Sequence, residues 1–591
     1  MIWGIKYIRF FLTMWLVIIS TVLFIEVFAG KGPHSHSIHF FADYSNYSNK
    51  IDSSPKVFNE PLPVNQNSKN ITLPNILLIM ADDMGYSDIG CYGGEIKTPN
   101  LDRLAGKGIR LTQFYNSARC CPTRASLLTG LYPQQTGIGG MVGGNNPLPA
   151  YAGDLNNQCV TMAEALGKNG YATYMTGKWH IAKSTSTNDI HNWPLQRGFQ
   201  KYYGTITGAG SFFDPKTLTY NNTPVSVSEK DNFYYTNAIS DSTVTFLKEH
   251  LKKSNETPFF FYVAYTAPHW PLHALEKDIK KYEGIYSAGW GKLRNERIKR
   301  MQQMGIINKD WKLSESGSMV ASWEAVEKKD WELQRMMTYA AQIEVMDQGI
   351  GRIVDFLEKS GTLENTLVIF LSDNGGCAET FNEADKWVQA YGPEKTLNGD
   401  KVFYGNDNDL MAGSPNTYMS YGPSWANLSN TPFRYYKHYG FEGGVATPFI
   451  MHWPNRFSKI NKIRDEVASI IDVMPTVLAA TNTPYPLTYN GHSIQPMEGT
   501  SLLPVFDGKH LKRKTWFMEH EGNKAVRDGK WKMASTGNGK WELFDMDKDR
   551  TETNNILSQN PKIGQKLEKM WNEWAWRVHV LPYSLKKLLL H

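Results

Sequence analysis

Asp82-Asp83 and Asp373-Asn374 place four oxygen donors in two adjacent pairs, each pair directly after a short apolar run. Hard oxygen ligands select Ca2+ or Mg2+ over Zn2+. An isolated pair of this kind is more often a turn or a helix cap, so the chemistry depends on the two pairs meeting. A second candidate is the string Cys120-Cys121-Pro122-Thr123-Arg124-Ala125-Ser126-Leu127-Leu128-Thr129-Gly130. Pro122 suits the first turn of a helix, so residue 120 faces free N–H groups and the positive end of the helix, a setting that favours an anion. Arg124 falls one turn further along the same side, where its guanidinium can neutralise that anion. Lys178 and His180 in Gly177-Lys178-Trp179-His180, His269 after Ala267-Pro268, and Lys437 at the end of Pro432-Phe433-Arg434-Tyr435-Tyr436-Lys437 add cations and acid–base groups. Taken singly, each of these four reads as a surface lysine or a satisfied core histidine.

The elements that must position these residues are apolar runs of strand length. Asn75 to Met80 leads into Asp82-Asp83, Tyr171 to Thr176 into Lys178 and His180, Pro258 to Ala264 into His269, and Thr366 to Leu371 into Asp373-Asn374. Helical stretches alternate with them. Thr161-Met162-Ala163-Glu164 is a capping box opening a helix that Asn169-Gly170 ends, and Ala340 to Lys359 has helical periodicity. Alternating strands and helices predict an α/β fold with a large, mostly parallel central sheet, ligands lying beyond the carboxyl ends of its strands. The four polar clusters then converge on one crevice. Tyr282 to Trp331 and Thr380 to Asn430 read as elaborated loops around it. From about Leu511 the pattern changes to short strands, Trp516 to His520, Ala525 to Trp531 and Trp541 to Phe544, then a helix from Pro561 to Arg577, predicting a small antiparallel C-terminal subdomain.

From Asn75 to Asn555 the chain resembles the type I, formylglycine-dependent sulfatases, in their bacterial arylsulfatase-like branch of the alkaline-phosphatase-like superfamily. The resemblance is carried by the string from Cys120 to Gly130, by Ala81 to Asp88, Leu371 to Gly376, Gly90 to Gly94, Thr98 to Asp102, Phe441 to Gly444 and Ile471 to Thr476, and by His520 to Arg527. It implies that Cys120, in register with Pro122 and Arg124, is oxidised to formylglycine by a formylglycine-generating maturase. A hydrated aldehyde presents two hydroxyls on one carbon, one to attack sulfur and one to expel sulfate. It further implies Ca2+, with Mg2+ the other choice, on Asp82, Asp83, Asp373, Asn374 and residue 120. Arg124 would hold the nucleophile, His180 would handle its proton, and Lys178, His269 and Lys437 would grip the sulfate. Either His269 or Lys437 would protonate the departing alcohol, and the sequence does not choose between them. Val445-Ala446-Thr447 departs from relatives that carry an arginine there, which weakens transfer of substrate preference.

Composition agrees with an enzyme: hydrophobic residues are 41%, charged residues 20% and aromatics 13%, with 18 Trp. A net charge of +6, with lysines interspersed among acids, gives no basic stripe and no support for a nucleic-acid partner. Five cysteines (Cys91, Cys120, Cys121, Cys159, Cys377) make neither a disulfide scaffold nor a CxxC pair. Residues 1–29, basic, then apolar, ending in Val27-Phe28-Ala29, read as a signal peptide, with an uncleaved anchor as the competing reading. Residues 30–74 read as a linker, 75–510 as the catalytic domain and 511–591 as the C-terminal subdomain. The expectation is a periplasmic or secreted enzyme, without stable membrane association after cleavage, acting on a sulfated small molecule or glycan. The alternatives are a phosphonate or phosphate monoester hydrolase of the same superfamily and a non-catalytic sulfated-glycan binding protein.

Overall fold

The computed structural model describes residues 73–580 apart from 144–145, 255, 457–461, 512–514 and 538. The expected signal peptide and nearly all of the linker lie outside the described residues. Strands β1 (Asn75–Ala81), β2 (Ile109–Tyr115), β3 (Ala172–Gly177), β4 (Lys201–Thr205), β5 (Leu218–Tyr220), β6 (Thr223–Pro224), β7 (Phe259–Ala264), β8 (Thr366–Ser372), β9 (Ala446–His452) and β10 (Lys462–Ser469) form one sheet. Its order is β10-β2-β9-β8-β1-β7-β3-β4-β5-β6. The centre is parallel, β1 pairing in register with both β7 and β8 and β3 with β7. β9 runs antiparallel to β2 and β8.

The apolar runs become strands because both of their faces are covered. Leu77 and Ile79 of β1 pack with Phe259, Phe261 and Val263 of β7 on one side, where helices α3 (Tyr235–Lys253) and α4 (Lys329–Lys359) supply Ile239, Leu247, Ile343 and Ile350. Ile76, Leu78 and Met80 face the other side with Phe260 and Tyr262, against Leu127 and Leu128 of α1 (Cys120–Thr129) and Leu166 of α2 (Met162–Lys168). The capping box at Thr161 is present: its hydroxyl accepts from Glu164 N at 3.1 Å, and Thr161 N donates to the Glu164 carboxylate at 2.6 Å.

Three expectations need correction. The helix expected from Ala340 begins eleven residues earlier, at Lys329, because Lys329, Asp330, Glu332 and Arg335 crowd its first two turns and hide its period. The stretch Tyr282 to Trp331 contains a helix, Gly289–Gln303, in which Arg294 and Arg297 are buried as ion-pair and hydrogen-bond donors. Ala525 to Trp531 is two strands, because Gly529 turns the chain at φ 58°. The C-terminal sheet is therefore a four-stranded antiparallel meander, β11 (Trp516–His520), β12 (Asn523–Asp528), β13 (Trp531–Ser535) and β14 (Glu542–Asp545). Helix α5 (Pro561–Arg577) covers it, Trp574 stacking on Phe517 with ring centres 5.2 Å apart.

A buried ionic quartet joins this sheet to the segment before β9. Lys532 Nζ lies 2.7 Å from Glu442 Oε1 and 2.8 Å from Glu552 Oε1, and Arg550 Nε lies 2.7 Å from Glu442 Oε2. Each acid has a base within contact, which is the condition for burying four charges.

Candidate active site

The parallel register Ala81↔Ser372 ends β1 and β8 side by side, so Asp82-Asp83 and Asp373-Asn374 emerge together. They interlock. Asp83 N donates to Asp373 Oδ1 at 3.0 Å and Asn374 Nδ2 to Asp83 Oδ1 at 2.6 Å. Around the acids stand cations from the end of β3, from α1 and from the loop that carries Lys437. Lys178 Nζ, just past β3, is 2.6 Å from Asp82 Oδ2, and Lys437 Nζ is 2.9 Å from Asp83 Oδ2. Arg124 Nη2 donates to Asp373 Oδ2 at 2.9 Å and Nη1 to the Lys178 carbonyl at 3.1 Å. The guanidinium thus braces Asp373 and the Lys178 backbone. His269, past β7, places Nε2 3.3 Å from Asp83 Oδ2 and 3.4 Å from Lys437 Nζ.

Cys120 is the first residue of α1, and its side chain meets Cys121 and His180, their ligand atoms all lying within 4.8 Å of one another. His180 sits in a left-handed backbone conformation, φ 56°, which turns its ring toward Cys120. The ring fits because residue 208 is glycine: a Cβ there would lie 2.2 Å from it. All ten residues expected in the site are brought together. His273, by contrast, is spent on the Thr417 carbonyl at 2.9 Å, and Tyr115 on Glu442 at 3.1 Å.

The electrostatics are those of a buried, charged pocket. Burial, then the neighbouring Asp373, push the Asp82 carboxyl well above the usual range. Burial would also raise Asp83, but Lys437 and His269 hold it below. The hydrogen bond with Cys121, with Lys178 adding to it, holds the Cys120 thiol well below the ordinary thiol range. Burial lowers both His180 and His269 to about 4, so both rings are neutral at neutral pH. Burial would lower Lys437 too, yet Asp83 and Glu379 hold it well above its ordinary value, so it stays charged.

The donor set fits a divalent cation bound through oxygen. Asp82 Oδ1 and Asn374 Oδ1 are buried and have no hydrogen-bond partner among the described residues. Buried polar atoms are seldom left so, and a hard cation would satisfy both.

Sequence reasoning missed a supporting layer. Glu379 accepts from Arg119 Nη1 at 2.7 Å and from Trp270 Nε1 at 2.9 Å, and it faces His438 Nε2 at 3.2 Å. Arg119 and His438 immediately precede Cys120 and follow Lys437, and that adjacency was the available signal. Glu379 lies in a stretch without periodicity and offered none.

The family model described as Sulfatase matches residues 74–483, and one described as N-sulphoglucosamine sulphohydrolase, C-terminal, matches residues 433–576. An uncharacterised sulfatase of Schizosaccharomyces pombe is 33% identical over 534 residues, 84% of this chain and 92% of that protein. An arylsulfatase of Klebsiella aerogenes is 34% identical over 455 residues, 75% of this chain and 94% of that protein. Among solved structures, Ps i-CgsB in complex with k-i-k-neocarrahexaose is similar, with a TM-score of 0.61 and 25% identity, covering 86% of this chain and 94% of that one.

Proposed function

The chain belongs to the sulfatase family of the alkaline-phosphatase-like superfamily and is a sulfuric ester hydrolase, and on that footing we propose that it cleaves aryl or carbohydrate sulfate monoesters with formylglycine made from Cys120. The observation that carries this reading is the placement of Cys120 at the N-terminus of α1, beside neutral His180 and facing two buried lysines and two interlocked acidic pairs. The relative named arylsulfatase supports the aryl class, and the likeness to a protein solved with k-i-k-neocarrahexaose supports the carbohydrate class.

Asp82, Asp83, Asp373 and Asn374, with residue 120, would hold the cation, read as Ca2+ with Mg2+ as the other choice, which when bound supplies Lewis-acid polarisation of a sulfate oxygen. Formylglycine would supply a hydroxyl nucleophile that a thiol cannot replace. His180, unprotonated, accepts the proton of that hydroxyl. Lys178 and Lys437 neutralise charge gathering on the sulfate oxygens. His269 Nδ1 lies 2.6 Å from the Trp270 carbonyl, so Nδ1 carries the ring proton and Nε2 is an acceptor facing Lys437. Of the two candidates for protonating the leaving alcohol, this favours Lys437, with His269 positioning it. The basic and then apolar sequence of residues 1–29 supports an exported enzyme, periplasmic or secreted, with a formylglycine-generating maturase as its partner in biogenesis.

The test is expression with and without a formylglycine-generating enzyme, mass measurement of the Cys120 peptide, and release of sulfate against phosphate from matched aryl esters with and without chelator. Sulfate release that requires the modification and the cation, and vanishes in Cys120→Ala, is expected. Phosphate release without sulfate release from modified protein would overturn the reading in favour of a phosphate or phosphonate ester, and release of neither would leave a binding protein.

A further inference from the structure

A second group of ligand-type side chains lies between the loop carrying Lys437 and the C-terminal sheet, and the proposed reaction does not use it. His438 follows Lys437, while His520 and Glu521 stand at the turn from β11 to β12. The ligand atoms of these three residues lie within 4.8 Å of one another. His438 Nδ1 is 3.4 Å from Glu521 Oε2, and His520 Nε2 is 3.8 Å from the same oxygen. Around a tetrahedral ion with bonds of roughly 2.0–2.1 Å, donors stand about 3.3–3.4 Å apart. One edge already has that length, a second needs a small contraction, and the third, between the two rings, lies within 4.8 Å and has to close further.

The far side of each ring is anchored, as metal-bound histidines require. His520 Nδ1 faces the Gly139 carbonyl at 3.4 Å, which puts the ring proton there and leaves Nε2 as a lone pair. That Nε2 is buried and has no hydrogen-bond partner among the described residues. His438 Nε2 faces both the Glu379 carboxylate and the Arg119 guanidinium, and when its proton points to Glu379 the Nδ1 lone pair is free toward Glu521. Glu379 is held on its two oxygens by Arg119 and Trp270, and Arg119 also lies against His438 Nε2. Two imidazoles and one carboxylate suit a zinc-class ion, unlike the all-oxygen set at Asp82 and Asp83. The side chains of His438 and Glu521 are 28% and 41% exposed, so water reaches the remaining coordination position.

We propose that His438, His520 and Glu521 bind a zinc-class divalent ion, with water as fourth ligand, tying the loop of Lys437 to the C-terminal sheet. If Arg119 instead donates to His438 Nε2, Nδ1 carries the proton, bonds Glu521 directly and leaves no room for a metal.

The two arrangements separate in a Co2+ titration of the chelator-stripped full chain, followed by visible absorption. The expected result is one equivalent of tetrahedral Co2+ per chain, displaced by Zn2+ but not by excess Ca2+, without a thiolate charge-transfer band. Glu521→Gln and His438→Gln should each weaken it at least tenfold with unchanged circular dichroism, and Asp82→Asn should leave it intact. Absence of a tetrahedral spectrum, a spectrum carrying the thiolate band of the Cys120–Cys121–His180 cluster, or one indifferent to Glu521→Gln and His438→Gln would overturn the proposal.

Discussion

Lys178 Nζ lies 2.6 Å from Asp82 Oδ2, and neither side chain is exposed to solvent. Breaking a buried pair leaves a bare charge and costs roughly 3–5 kcal/mol. Lys178→Met should therefore lower Tm in metal-free buffer, and Ca2+ should recover much of that loss by supplying the missing positive charge. The kcat for sulfate release should still fall by on the order of 10²–10³. A Tm indifferent to Ca2+ in this variant would count against the acidic pairs as the cation site.

Asp373 serves Arg124 and the Asp83 backbone at once, as well as the proposed cation. In the wild type, Ca2+ at a hundred times its Kd should stabilise by about 2.7 kcal/mol, read as a rise in Tm. Asp373→Asn should abolish that rise while keeping an acceptor for Asp83 N. Retention of the full rise would place the cation elsewhere.

Gly177 precedes Lys178 at φ 98°, and a Cβ there would lie 1.9 Å from the Ala264 carbonyl oxygen. Gly177→Ala must spread β3 from β7 and shift Lys178, so urea unfolding should show a loss of more than about 3 kcal/mol, at the severe end of single substitutions. Gly106→Ala, where no described residue beyond its own helix turn lies within 4 Å of the new atom, is the control. It should be neutral or stabilising by up to about 1 kcal/mol, as glycine in a helix is.

The central strands were legible because β1, β7 and β8 are runs of apolar residues on both faces, a pattern that residue type alone displays, and β3 is a shorter, mixed run. β2 was not: Arg110, Thr112 and Gln113 interrupt it, and each donates to a backbone carbonyl elsewhere in the fold, of Cys91, Arg464 and Asp465. The acidic pairs and residue 120 were legible because each follows an element at short range. Glu379, His438 and Glu521 meet only through long loops, whose closure no local period records. The same limit applied to α4, whose charged first half reads as loop until the Ser420 carbonyl and Glu332 are seen to take Arg335.

The quartet of Glu442, Glu552, Lys532 and Arg550 makes stability depend on pH in two directions. Burial would raise Glu442, but Lys532 and Arg550 pull it down to about 2, so its contribution is full above its ordinary 4.5 and lost as pH falls toward 2. Burial raises Glu552 to about 7, so the folded state keeps this proton longer, and the associated stability is lost as pH rises from 4.5 through 7. Glu552→Gln should therefore flatten the decline of unfolding free energy between pH 4.5 and 7 and leave the acid limb in place. An unchanged slope in denaturant melts across that range would assign the decline to another group.

Only 2% of the Cys120 surface is exposed. Under the proposed conversion to formylglycine, a second enzyme has to reach that thiol, and in the finished molecule nothing larger than a small solute can. The order of events in biogenesis follows. Lys437, which lies over the acidic pairs, and Lys532, which the quartet needs, are both made more than three hundred residues after Cys120. A nascent chain therefore presents residue 120 as an open peptide for as long as those segments are unsynthesised or undocked. Maturation competes with folding for this interval, so the yield of active enzyme is governed by the relative rates of oxidation and closure and not by stability alone.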